Sequence, residues 1–178
     1  MVLSTRTRRG FLTGRPSQDP AAILPPGATL PPRGILPPGA TETSVQNCSG
    51  CGACIDACPT KIISIRSGIP TVDFRLGECT FCGQCAERCP ESVFPTGPAA
   101  SFAHHAVIDD GCLANNYVDC QACRDSCPEG AIRFWPRLGG PFVPELDAHA
   151  CTGCGACIAV CPADAIAMKP DQREAAHA

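Results

Sequence analysis

Thiolates are the soft, electron-rich ligands that iron and sulfide prefer, and this chain carries sixteen cysteines in 178 residues. They fall into four sets of four: Cys48/Cys51/Cys54/Cys58, Cys79/Cys82/Cys85/Cys89, Cys112/Cys120/Cys123/Cys127 and Cys151/Cys154/Cys157/Cys161. Three sets follow the spacing C-x-x-C-x-x-C-x-x-x-C, and every set is closed by a proline: Pro59, Pro90, Pro128 and Pro162. No cysteine is left over. Ligands this close in sequence must wrap around a compact thiophilic object, and this spacing is one that holds cubane [4Fe-4S] clusters. The chain therefore reads as a carrier of four [4Fe-4S] clusters with all sixteen cysteines as iron ligands. A zinc ribbon instead needs two distant C-x-x-C pairs. A secreted disulfide scaffold spreads its cysteines rather than massing them in near-identical quartets.

The elements that must position these thiols are short. After Pro59, Lys61–Ile65 and Thr71–Phe74 flank the turn Arg66–Pro70, and β-branched residues on either side of a Gly/Pro turn predict a hairpin. The same grammar returns after Pro128, where Ala131–Trp135 and Phe142–Val143 flank Pro136–Pro141. Two similar modules result, over residues 44–96 and 105–170. Each resembles a two-cluster bacterial ferredoxin, a pseudo-twofold α+β unit of short helices and hairpins. The resemblance implies crossed ligation, in which the fourth cysteine of a set serves the cluster of the other set. It groups Cys48, Cys51 and Cys54 with Cys89, and Cys79, Cys82 and Cys85 with Cys58. It likewise groups Cys151, Cys154 and Cys157 with Cys127, and Cys112, Cys120 and Cys123 with Cys161.

Glycines between ligands, as in Cys48–Cys54 and Cys151–Cys157, suit a loop drawn tightly around a cube, where positive φ and close backbone approach are needed. Amide N–H groups freed by such a loop can point at cluster sulfur and lower the cost of its negative charge. Ile55, Ile158 and Val160 are expected to wall off water. The third set departs from the pattern, because Leu113–Asp119 puts seven residues between Cys112 and Cys120 where two are expected. Closing a loop longer by five residues costs little, so Cys112 still reaches its site. The insertion is read as a plain surface loop, with partner contact through Tyr117 as the alternative. His104 and His105 are read as solvated residues between the modules rather than as metal or proton carriers. No Gly-rich nucleotide loop, Ser-His-Asp pattern or flavin fingerprint stands out, so the expected cargo is electrons and the chain is not expected to be an enzyme.

Only 5% of residues are aromatic, while glycine and proline number 17 and 19, so apolar packing alone is thin. Folding is expected to be coupled to cluster binding, leaving the metal-free chain largely unfolded. The formal charge is −3, and four thiolate-bound clusters would bring it to roughly −11. Such a surface disfavours nucleic acid and points to a protein partner. No apolar run is long enough to span a membrane. Residues 1–43 differ in kind: Ile23–Thr41 repeats an L-P-P core that favours extended polyproline II, and Ser4–Arg15 carries four arginines and no acid. Thr7–Leu12 is similar to a twin-arginine export signal, but the apolar stretch such a signal needs does not follow, so the chain is expected to stay in the cytoplasm. Residues 97–104 are read as a linker and 171–178 as a disordered tail.

Taken together, Arg8–Arg15 (RRGFLTGR), the four quartets, the stretched third motif Cys112–Pro128 and the run Cys89–Phe94 (CPESVF) resemble the NapF family. These are ferredoxin-type accessory proteins of the periplasmic nitrate reductase system. The resemblance spans nearly the whole chain and is weakest over residues 16–43. It implies a cytoplasmic protein that binds the molybdenum-containing catalytic subunit and aids its maturation before export, through electron transfer. Arg8, Arg9, Phe11 and Arg15 are then the candidate partner contacts. An electron-transfer subunit of a membrane-associated respiratory complex is the other functional reading, and a purely structural role for the clusters a third.

Overall fold

The computed structural model describes residues 34–94 and 102–171. Most of the basic, Pro-rich segment, including Arg8, Arg9, Phe11 and Arg15, lies outside the described residues, as do most of the expected linker and tail. What is described is a mixed α+β chain of four one-turn helices and three two-stranded antiparallel sheets. The helices are α1 (Ala53–Ala57), α2 (Gln84–Glu87), α3 (Ala122–Asp125) and α4 (Ala156–Ala159). The strands are β1 (Ile63–Arg66), β2 (Ile69–Val72), β3 (His104–Ile108), β4 (Ile132–Arg137), β5 (Gly140–Leu146) and β6 (Ile166–Pro170).

Both predicted hairpins form, with tighter turns than the sequence suggests. β1 pairs with β2 from Ile63↔Val72 to Arg66↔Ile69, which leaves Ser67 and Gly68 as the turn, both at positive φ. β4 pairs with β5 from Ile132↔Leu146 to Arg137↔Gly140, with a register shift between Trp135 and Arg137. Proline at 136 cannot donate to the ladder, which is the reason for an irregularity there.

The third sheet was not expected. β3 pairs with β6 from His104↔Pro170 to Ile108↔Ile166, joining segments some sixty residues apart. His104 and His105 are thus strand residues and not solvated linker: β-branched Val107 and Ile108 extend the strand, and β6 satisfies its backbone. His105 Nδ1 stands 2.5 Å from Asp171 Oδ1, and the Asp171 N–H donates to the Ala103 carbonyl at 2.9 Å, so Asp171 is tied to the start of β3.

At the other end the packed unit begins before residue 44. Ile35 bridges Val72, whose N–H donates to the Ile35 carbonyl at 2.7 Å, and Pro37 is fully buried. The last L-P-P repeat is therefore part of the fold rather than of an extended leader.

Two apolar cores lie between sheets and helices. One gathers Ile62, Ile63, Val72, Phe74 and Phe102 with Cys54 and Cys58; the other gathers Ala106, Ile132 and Ile166 with Cys123 and Cys157. Ile158 and Met168 pack against both, so the two halves share a continuous interior. Of the residues expected to exclude water, Ile55 and Ile158 do pack on a core, but Val160 is 39% exposed at the end of α4. A one-turn helix has no second turn to carry that position back toward the interior.

Candidate iron-sulfur sites

Each helix begins two residues after the second cysteine of its set and ends one or two residues before the fourth. Cys54 and Cys58 are thus separated by one turn of α1, which directs them to different neighbours, and Cys85/Cys89, Cys123/Cys127 and Cys157/Cys161 repeat the arrangement. Four hollows result, each lined by four thiols drawn from two sets. One is lined by Cys48, Cys51, Cys54 and Cys89; the second by Cys58, Cys79, Cys82 and Cys85. The third is lined by Cys127, Cys151, Cys154 and Cys157; the fourth by Cys112, Cys120, Cys123 and Cys161. This is the crossed grouping expected from the ferredoxin resemblance, and it includes Cys112 despite the insertion. The hollows are small and partly open to solvent. Among the described residues no three His, Cys, Asp or Glu side chains converge tightly enough to share one ion. The thiols surround a space rather than a point.

The backbone makes these spaces suitable for thiolates. In three sets the residue before the second cysteine takes positive φ: Gly50 at 70°, Gly153 at 73° and Phe81 at 51°. A phenylalanine held there is strained by about 1–2 kcal/mol, offset by its edge contact with Phe102 at 5.6 Å. After the fourth cysteines, Lys61, Gly130 and Asp164 also take positive φ, and the turn aims an N–H back at sulfur. Ala131 N–H reaches Cys127 Sγ at 3.3 Å and Ala165 N–H reaches Cys161 Sγ at 3.4 Å. Gly50 N–H to Cys48 Sγ at 3.4 Å and Ala106 N–H to Cys151 Sγ at 3.5 Å add two more. Donors facing sulfur favour the anionic, metal-bound form.

Electrostatics divides the thiols. Burial pushes Cys85 and Cys123 up to about 11 and Cys157 up to about 12, with neighbouring thiols adding to the rise. Such thiols keep their protons near neutral pH, and a bound cation would favour their release. At Cys58 burial also raises the value, but the Thr60 hydroxyl and the N–H groups of Ile62, Thr60 and Lys61 outweigh it and the net direction is downward.

The insertion is docked, not loose. Arg137 on β4 donates through Nη2 to the Ala114 carbonyl at 2.9 Å and through Nη1 to the Asn115 carbonyl at 3.4 Å, while its guanidinium lies 4.1 Å from the Tyr117 ring centre. Asn116 Nδ2 donates to the carbonyls of Asp110 and Cys112. Tyr117 itself is at φ 64° and 69% exposed. Arg137 is the loop-holding residue that motif reading misses: only its place across the hairpin, some twenty residues downstream, connects it to the loop.

The 4Fe-4S dicluster domain matches this chain over residues 47–93 and 118–174, covering both halves. A ferredoxin-type protein NapF of Escherichia coli (strain K12) is 40% identical over 161 residues, 90% of this chain and 92% of that protein. A ferredoxin-type protein NapF of Haemophilus influenzae is 43% identical over 125 residues, 70% of this chain and 71% of that one. One component of an ion-translocating oxidoreductase complex of Methanosarcina acetivorans is 41% identical over 64 residues, 36% of this chain and 20% of that protein.

Proposed function

The chain belongs to the NapF family of ferredoxin-type, [4Fe-4S]-binding proteins, and from that premise we propose that it is a cytoplasmic carrier of four clusters that binds the molybdenum-containing catalytic subunit of periplasmic nitrate reductase and assists its maturation before export by supplying electrons. The single observation that carries the reading is the set of four thiol-lined hollows with crossed membership. A [4Fe-4S] cluster supplies one-electron redox chemistry. The chain's residues supply four thiol ligands per site, N–H donors to the sulfurs, and apolar walls such as Ile62, Ile132 and Ile166 that keep water from the core. The polypeptide itself makes and breaks no substrate bonds in this reading, so it is an electron carrier and not an enzyme.

Arg8, Arg9, Phe11 and Arg15 are assigned to partner contact on the strength of the motif alone. An anaerobic pull-down from the native host tests the whole reading: the catalytic subunit should co-purify from the cytoplasmic fraction with an iron-loaded bait. Removing residues 1–15 should weaken that capture and leave iron content unchanged, whereas undiminished capture would refute the docking role.

A second reading, an electron-transfer subunit of a membrane-associated respiratory complex, draws support from the 64-residue match to a component of an ion-translocating complex. Among the described residues no helix is long and apolar enough to cross a membrane. Recovery of the chain with membranes, bound to a respiratory partner, would favour that second reading.

A further inference from the structure

The four hollows can be put in order from backbone contacts alone. The first and second share α1 and α2, whose cysteines serve one hollow from within the helix and the other from beyond its end. The third and fourth share α3 and α4 in the same way. Between the second and third there is no shared helix. There is instead one direct link, in which the Cys79 N–H donates to the Cys154 carbonyl at 2.8 Å.

That link sits in a closed seam. Gly155, next to Cys154, faces the Phe74 ring so closely that a Cβ there would lie 2.1 Å from a ring carbon, and its φ is 83°. On the other side of Cys154, the Gly153 carbonyl accepts a hydrogen bond from His104 Nε2 at 3.0 Å, which fixes the proton on that nitrogen. Phe102 stacks on His104 with ring centres 4.5 Å apart, and meets Phe74 and Phe81 edge-on at 5.5 and 5.6 Å. Phe74 and Phe102 are buried. The two residues flanking Cys154 are thus clamped by rings from the first core and from β3, and Ile158 packs across the same boundary.

We propose that the Cys79–Cys154 peptide contact is the bridge by which electrons cross between the two halves, and that Phe74 and His104 are positioning residues that hold it closed. The proposal rests on the four-cluster reading above. It makes the sites one line, with the Cys48/Cys51/Cys54/Cys89 and Cys112/Cys120/Cys123/Cys161 sites at its ends and the other two inside. With clusters bound, each crossing would take one electron from the site lined by Cys58, Cys79, Cys82 and Cys85, leaving it oxidised, and deliver it to the site lined by Cys127, Cys151, Cys154 and Cys157, leaving that one reduced. No bond forms or breaks and no proton moves. A one-electron donor protein supplies the electron at one end and a one-electron acceptor protein removes it at the other. The direction reverses if their potentials do.

The test uses the full chain, loaded and kept anaerobic, with the variants Phe74→Ala, His104→Leu and His104→Gln. Iron and sulfide analysis of the native chain comes first: fewer than four clusters there would defeat the underlying reading by itself. With four present, hydrogen exchange at the Cys79 amide reports the bridge, and EPR after a substoichiometric pulse of photoreduced deazaflavin reports redistribution of electrons between the halves. Phe74→Ala and His104→Leu should speed exchange at Cys79 by about tenfold, the factor carried by one good hydrogen bond. They should also slow redistribution at unchanged iron content. His104→Gln, which can still donate to the Gly153 carbonyl, should restore both. If Phe74→Ala sheds iron, His104→Leu decides. Full iron with unaltered exchange and redistribution would overturn the proposal.

Discussion

Replacing Arg137 by methionine keeps the aliphatic stem and removes the guanidinium that pins the insertion. The bond to the Ala114 carbonyl at 2.9 Å is a good one from a charged donor, a class worth about 1.5–3 kcal/mol. The 3.4 Å contact to the Asn115 carbonyl adds little, and stacking on the exposed Tyr117 ring adds about 0.5–1 kcal/mol. Against these stands Arg137 Nε, which among the described residues is buried with no partner, a penalty of about 1–3 kcal/mol that the substitution relieves. At mid-range the donors outweigh the orphan atom by about 1 kcal/mol, a factor of roughly 5 in loop opening. Because Cys112 begins the insertion and lines the fourth hollow, the loosened loop should release one cluster first. Hydrogen exchange at Asn116 and Val118 should accelerate by that factor in Arg137→Met. Under mild chelation iron should fall from about sixteen to about twelve per chain before further loss. Unchanged loop protection, or iron leaving all sites together, would refute the view that Arg137 anchors the Cys112 ligand.

Gly155→Ala should lower cluster retention in the third site, since a Cβ would collide with Phe74 and the left-handed backbone adds about 1–2 kcal/mol of strain; iron content after purification measures it. Cys89→Ser should damage the site of Cys48, Cys51 and Cys54 and spare that of Cys79, Cys82 and Cys85, and EPR of the reduced chain tells which signal is lost. Acid should drive iron out. Burial holds Cys85, Cys123 and Cys157 well above an ordinary thiol, so these ligands take up protons on release and dissociation is favoured as pH falls, by up to about a decade per thiol per pH unit. Chelator-induced bleaching should therefore be greater at pH 6 than at pH 8, and pH-independent bleaching would contradict that proton coupling.

The quartets and both hairpins are legible in the sequence because their determinants are local: ligand spacing, proline after the fourth cysteine, and β-branched residues around a turn. The grouping of thiols across sets follows from resemblance to a known fold, and the hollows agree with it. The rest depends on contacts distant in sequence. His104 and His105 are ambiguous within Ala103–Ile108, and only pairing with Ile166–Pro170 makes them strand. Pro37 carries no mark that separates it from the other L-P-P repeats, yet Ile35 reaches β2 and draws it inside. The Phe74–Phe102–His104 seam joins residues whose types suggest ordinary core, and nothing in their spacing announces that they meet between two ligand loops.

Each short helix has one thiol inside it and another just beyond its end, committed to adjacent centres. Corrosion by oxygen at one centre would loosen a helix on which its neighbour also leans, so a second loss should fall within the same half before it reaches the other.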